Sequence, residues 1–338
     1  METTKGNWTR RRALATTMAA AAALATTTSA TVAQAQDNNW PQKPLRFIVP
    51  YAAGSGVDVS MRPVADAMAR ELGQAVAVDN RPSAGGIVGT QLIATAPPDG
   101  YTFGYGNITT LAINTSFFTK LPYNTEKDLA PIGLFMANAY VVVARNSLPA
   151  DNFQELLAYG RKSGNNKLSV GNPAIGGAGH LTGELLRAQT GLPMEAVPYK
   201  TGTQAVGDMV NGQLDLTIEN VSAVLPFIQS GQIKALAVTS AKRVSVLPQV
   251  PTLAESGVPG FDVVAWGGLV APAGTPKKAI DRLNAAMRKA MADPAVVRAH
   301  AALSVEPMLS SPEEFTALVK QETPRWAEVV KRAGVKAD

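Results

Sequence analysis

The chain of 338 residues contains no cysteine. That absence excludes disulfide scaffolds, cysteine zinc sites, iron–sulfur clusters and thiol nucleophiles. Histidine is almost absent as well. His180 and His300 are the only two, so a histidine-rich metal site is not expected, and a Ser-His-Asp triad would need one of them. Charged residues make up only 17% of the chain, which argues against a coiled coil or a charged tail. No apolar run reaches the ~18 residues of a membrane span. The formal charge of +5 is uneven: Lys5, Arg10, Arg11 and Arg12 stand against Glu2 alone in residues 1–35, and the rest is nearly neutral. Without a basic stripe, no nucleic-acid partner is expected. Motifs of cofactor chemistry are missing too. There is no G-x-x-x-x-G-K-[ST] and no H-E-x-x-H; Ala53 spoils a nucleophile elbow around Ser55, and Thr182 spoils a dinucleotide fingerprint after Gly177-Ala178-Gly179. No catalytic residue, cofactor or metal is expected.

What is present begins with an N-terminus of three parts. Arg10 to Arg12 precede an Ala/Thr/Leu/Met stretch from Ala13 to about Ala30, then Ala33-Gln34-Ala35. This is a secretory pattern, with a mature chain starting near Gln36. The arginines and mild hydrophobicity suit the twin-arginine route, with an ordinary Sec signal as the alternative. The expected location is the periplasm.

From Leu45 the pattern alternates between short apolar strands and helices with apolar residues at helical spacing. Strands are read at Leu45–Pro50, Val76–Val78 and Tyr101–Tyr105. Helices start near Asp58, with Met61, Val64, Ala65, Met68 and Leu72 on one face, and at Ile87. A second run starts near Ile132, with a strand at Tyr140–Ala144. Asp151 and Gln154 then form a capping box, and further strands follow at Leu168–Val170, Ala196–Tyr199, Leu214–Ile218 and Ile233–Thr239. After a Pro/Gly-rich loop, strand Val263–Val270 precedes helices opened by Thr275-Pro276 and by the capping box Ser311 to Glu314. Pro324 should kink or break the last helix. This alternation calls for parallel sheets covered by helices, an α/β chain. We expect two lobes, residues 36–136 with 257–338 and residues 137–256, with 1–35 removed as the export signal.

Five loops at strand ends are rich in glycine and small polar residues, where open α/β sheets bind ligands. Glycine admits close backbone approach, and the helix that follows offers N–H groups to an anion. The candidate contacts are Tyr51, Gly54, Ser55, Gly56 and Asp58; Arg81 and Gly85; Asn107 and Thr109; Asn172, Gly176, Gly177 and His180; Tyr199 and Lys200; and Asn220. Asp58 reads first as a helix cap. His180 and Arg81 read equally as structural residues or as ligand donors, His300 as packing and Trp266 as core or hinge. Most of these groups are neutral, so an anion would be held mainly by dipoles.

These loops carry a resemblance. RFIVPYAAGSGVD (Arg46 to Asp58), VDNRPSAGGIVG (Val78 to Gly89), PPDGYT (Pro97 to Thr102), HLTGELL (His180 to Leu186), VPYKTG (Val197 to Gly202), LPQVPTLAESG (Leu247 to Gly257) and WGGLVAPAGTP (Trp266 to Pro276) resemble the solute-binding receptors of tripartite tricarboxylate transporters, or Bug receptors. The resemblance implies a two-lobed type II periplasmic binding protein fold with a ligand cleft between the lobes. It also implies capture of a small organic acid, delivery to the membrane subunits of such a transporter, and no enzymatic activity. A monomer is expected. A ligand-sensing partner of a signalling receptor and an exported enzyme are the competing readings. The chain departs from the family at Ala53-Gly54-Ser55, where Pro-Gly-Gly is usual, at Gly177, where serine is common, and at Thr201, where glycine is usual.

Overall fold

The computed structural model describes residues 40–162, 166–172, 175–199 and 201–337. The expected export signal and Lys200 lie outside them.

In the first stretch, β1 (Leu45–Val49), β2 (Val76–Asn80) and β3 (Thr102–Asn107) are parallel, and α1 (Gly56–Leu72) and α2 (Ile87–Ala94) are their crossovers. A wide turn at Thr109–Ile113 leads through α3 (Asn114–Phe117) and α4 (Thr125–Asp128) into β4 (Leu129–Arg145). Next come α5 (Phe153–Lys162), β5 (Leu168–Asn172), α6 (Ala178–Thr190), β6 (Met194–Pro198), α7 (Gly202–Val210), β7 (Leu216–Asn220), α8 (Val221–Gln229) and β8 (Ile233–Val238). The chain ends with β9 (Val264–Pro272), α9 (Lys277–Met291), α10 (Pro294–Ala302), β10 (Glu306–Pro307) and α11 (Pro312–Ala333).

The strands join in one mixed sheet ordered β2-β1-β3-β9-β4-β7-β5-β6, with β8 and β10 also on β4. The parallel pairing expected from the alternation is kept within each half, but β9 and β4 run antiparallel to their neighbours and weld the halves together. Strand β4 is much longer than the Tyr140–Ala144 segment legible in the sequence. It pairs with β9 from Leu129 to Ala139 and with β7 from Tyr140 to Ala144. Register shifts between Pro131 and Gly133 and between Leu134 and Met136 carry the strand past Pro131. The chain thus leaves one half of the sheet at Ala139–Tyr140 and returns at Val263–Val264.

Three local expectations are corrected. Ser55, not Asp58, is the N-cap of α1, its hydroxyl oxygen accepting from the Asp58 N–H. The capping pair before α5 is shifted by one residue: Asn152 accepts from the Glu155 N–H at 2.9 Å, and Glu155 accepts from the Asp151 N–H at 2.7 Å. Helix α11 runs unbroken through Pro324. An interior proline costs about 3 kcal/mol. Phe315 and Trp326, both fully buried on either side of it, each return about 1.5–3 kcal/mol, and Trp326 Nε1–H donates to Glu322 at 2.8 Å.

The main apolar cluster takes Ile48, Phe117, Tyr140, Trp266, Phe315 and Trp326 from both halves of the sheet. On the other face of β4, Val141 and Val143 pack with Ala205, Val206 and Met209 of α7 and Val224 of α8.

Candidate functional site

The carboxyl ends of β1, β2 and β3 are bound into one unit. Asp58, buried in the first turn of α1, accepts from the Gly54 N–H (2.8 Å), Arg62 Nε (2.9 Å) and Asn80 Nδ2 (2.9 Å). Burial pushes its carboxyl up, but these bonds together hold it below the ordinary aspartate range. Asn80 also donates to the Tyr51 carbonyl oxygen at 3.1 Å. Asp58 therefore shapes the loop and has little acceptor capacity left for a ligand.

Tyr51 continues the chain of bonds. Its hydroxyl oxygen accepts from Asn107 Nδ2 at 2.8 Å, and Asn107 Oδ1 accepts from the Thr109 and Thr110 N–H groups. Gly86 and Gly89 let the next loop lie on Pro50, where a Cβ at Gly89 would stand 2.7 Å from Pro50 Cα. The Asn114 amide donates to the Gly85 carbonyl oxygen at 2.8 Å. Hydroxyl protons are left over on the first loop. Tyr51 and Ser55 both accept through oxygen from within the loop, so each can donate outward. Burial holds Tyr51 un-ionised, pushed up to about 12 with the Asn107 bond opposing.

The carboxyl ends of β5, β6 and β7 form a second cluster. Asn172 is inward: its amide donates to the Val170 carbonyl oxygen, and its own carbonyl oxygen accepts from the Tyr199 N–H. His180 Nδ1 accepts from the Gly176 N–H at 3.0 Å, which leaves the ring proton on Nε2; burial pulls its pKa down, so the imidazole is neutral. Gly176 has a φ of 76°, and a Cβ there would fall inside the Phe117 ring. That glycine lets a loop from one half of the sheet close against an aromatic of the other.

Helices α6 and α8 begin at Gly177 and Asn220 with no side-chain cap, whereas α1 and α7 are capped by Ser55 and Thr201. Tyr140 stands between these two open helix ends. It pairs with Asn220 across β4 and β7, and a Cβ on Gly179 would lie 3.7 Å from its ring. Its side chain is buried, and its hydroxyl makes no hydrogen bond among the described residues. Burial, and then the charge of Glu219, keep that hydroxyl un-ionised.

Of the candidate cations, His180 is neutral and Arg81 is spent, while Lys200 lies outside the described residues. Arg81 is exposed and donates to Asp79 at 2.8 Å, beside Arg46 on the same carboxylate. The Tyr199 hydroxyl turns to Asp208 at 3.0 Å. Gly54 and Gly56 are exposed on the first loop, and Thr109 is half-buried. Tyr140, Glu219 and Phe117 are not among the candidate contacts read from the sequence. A polar aromatic within the apolar run Ala139 to Ala144, and an acid one residue before the strand-end Asn220, were the available signals.

Comparison with known proteins identifies the family. Residues 60–335 match the family described as tripartite tricarboxylate transporter family receptor. The periplasmic binding protein BugD is 37% identical, with a TM-score of 0.74, covering 88% of this chain and 100% of that one. The R. palustris Rpa4515 protein with adipate is 32% identical (TM-score 0.76, 88% of this chain and 99% of that one). MatC from Rhodopseudomonas palustris with bound malate is 30% identical (TM-score 0.72, 86% and 100%). The chain is therefore a member of the tripartite tricarboxylate transporter receptor family, whose structural neighbours are periplasmic solute-binding proteins.

Proposed function

We propose that this protein captures a small carboxylate between the two clusters of strand-end loops and hands it to the membrane subunits of a tripartite tricarboxylate-type transporter. One observation carries the reading: the uncapped N-termini of α6 and α8 flank the unpartnered hydroxyl of Tyr140. Open helix N–H groups and the positive end of the helix dipole favour an anion. Tyr51 and Ser55 supply neutral donors from the first cluster. The pairing of Arg81 with Asp79 and the neutral His180 fit an anion held by dipoles, each charged hydrogen bond contributing about 1.5–3 kcal/mol. The dicarboxylates held by two relatives, adipate and malate, support a carboxylate as the ligand class.

The lobes would be residues 36–136 with 257–338 and residues 137–256, closing on the ligand. The passages at Ala139–Tyr140 and Val263–Val264 support that division. The periplasm is the place of action, reached by a twin-arginine or Sec signal.

A thermal-shift panel of adipate, L-malate, citrate and benzoate, each against its neutral amide, tests the reading. A ligand at 100 times its Kd should add ~2.7 kcal/mol of stability. Acids should shift the melt and amides should not; equal shifts for both, or none for any acid, would refute it.

A further inference from the structure

A cavity of about 150 Å³ opens between α4 and α11. Leu111, Leu129, Val270 and Val319, all buried, form its apolar wall. Register sets Val270 opposite Pro131, and Leu129 lies two residues away on the same face of the sheet. The register shift after Pro131 bends β4 at this point. Thr125 also lines the cavity. It is 8% exposed, and its hydroxyl has no hydrogen-bond partner among the described residues. Asn124, not Thr125, caps α4 by accepting from the Glu126 and Lys127 N–H groups, so the helix start leaves that hydroxyl idle. Thr316, from α11, is already committed: its hydroxyl donates to the Pro312 carbonyl oxygen at 2.8 Å. Glu126 and Lys320 stand at the exposed rim, and neither makes an ion pair among the described residues.

We infer that this cavity is a second ligand site, apart from the strand-end loops, for a neutral one-ring molecule that carries a hydroxyl, the phenol class. Size sets the ring, since an engineered apolar cavity of ~150 Å³ binds benzene. The apolar wall takes the ring, which gains free energy by leaving water. The idle Thr125 hydroxyl can donate or accept, and a phenolic hydroxyl complements either role. Buried hydroxyls are seldom left without a partner, so this one marks where the polar group of the guest belongs. The rim favours neither sign of charge, because Glu126 and Lys320 offset one another, and that selects a neutral guest. Leu111 belongs to the wide turn whose Thr109 and Thr110 N–H groups hold Asn107. The cavity therefore shares a wall with the frame of the first loop cluster, yet its lining includes none of the candidate contacts to the carboxylate.

The test is a methyl NMR titration of the wild-type protein with phenol and, separately, with toluene. The methyls of Leu111, Leu129, Val270 and Val319 should shift together through ring currents as phenol saturates one site. Val319→Phe fills the cavity and should abolish the shifts at the other three residues for both probes. Thr125→Val keeps the shape and removes the hydroxyl; it should weaken phenol about two- to tenfold and leave toluene unchanged. Shifts confined to methyls elsewhere, or no shift at millimolar phenol, would overturn the site. An equal effect of Thr125→Val on phenol and toluene would overturn the hydroxyl class, because the ring alone would then be recognised. Benzoate shifting the same methyls at lower concentration than phenol would overturn the neutral class and give the rim to Lys320. The wild-type and Thr125→Val titrations stand alone should Val319→Phe fold poorly.

Discussion

The Thr239 hydroxyl donates to the Val263 carbonyl oxygen at 2.7 Å, and so joins the two points at which the chain passes between the halves of the sheet. The Thr239 hydroxyl oxygen also accepts from the Tyr140 N–H at 3.1 Å, and the Val263 N–H donates to the Thr239 carbonyl oxygen at 2.9 Å. Thr239 is fully buried, so these bonds exchange with no water. Thr239→Val keeps the shape and removes the hydroxyl, leaving a buried N–H and a carbonyl short of partners. The expected loss is about 1–3 kcal/mol, read from urea unfolding. A loss within error would show that the junction is held by packing alone.

The contact of Phe117 with Gly176 predicts non-additivity. Gly176→Ala forces a side chain into the Phe117 ring at a φ of 76°, which should cost about 1–3 kcal/mol from strain. Phe117→Ala alone should cost about 3–5 kcal/mol as a buried aromatic. The double variant should be more stable than the sum of the two, because the clash disappears with the ring. Additive melting data would mean that this loop adjusts freely.

Asp58 and Ser55 should separate stability from recognition. Asp58→Ala breaks the bonds to Gly54, Arg62 and Asn80 and should lower stability by about 1.5–3 kcal/mol. Its folded pKa is depressed, so the stabilisation is present above the unfolded value and is lost as pH falls through the folded one, below about 4. Ser55→Gly should cost only a few tenths of a kcal/mol as a cap. Losing its outward hydroxyl should weaken binding by about 0.5–3 kcal/mol and flatten the preference among acids. Unchanged affinities in calorimetry would remove Ser55 from the site.

Glu219 predicts a pH-dependent stability in the ligand-free protein. Its folded pKa, about 7, is raised from 4.5, so the native state holds more protons between these values and stability falls as pH rises across that window. Above 7 both states are ionised and the effect levels off. Relative to wild type, Glu219→Gln should gain in melting temperature from pH 5 to pH 7 and stay level from 7 to 8. A constant difference across that range would place the carboxyl in solvent.

The sequence by itself determined the α/β alternation, the strand-end loops and the family, because periodicity, glycines and motif order act over a few residues. It also placed Tyr51, Ser55, Asn107, Gly177 and Asn220 at strand ends, where helix starts follow. Tertiary structure alone decided how those groups are used. Arg81 is spent on Asp79 and Tyr199 on Asp208, while Asp58 is turned into its own loop. Strand β4 passes Pro131 without a break because β9 accommodates the bulges. Glu219 acquires its basicity, and Tyr140 its open hydroxyl, from neighbours on α7, β4 and β7 that are distant in the chain. Desolvation and hydrogen-bond satisfaction depend on what is packed around a group, and only the folded chain brings those neighbours together.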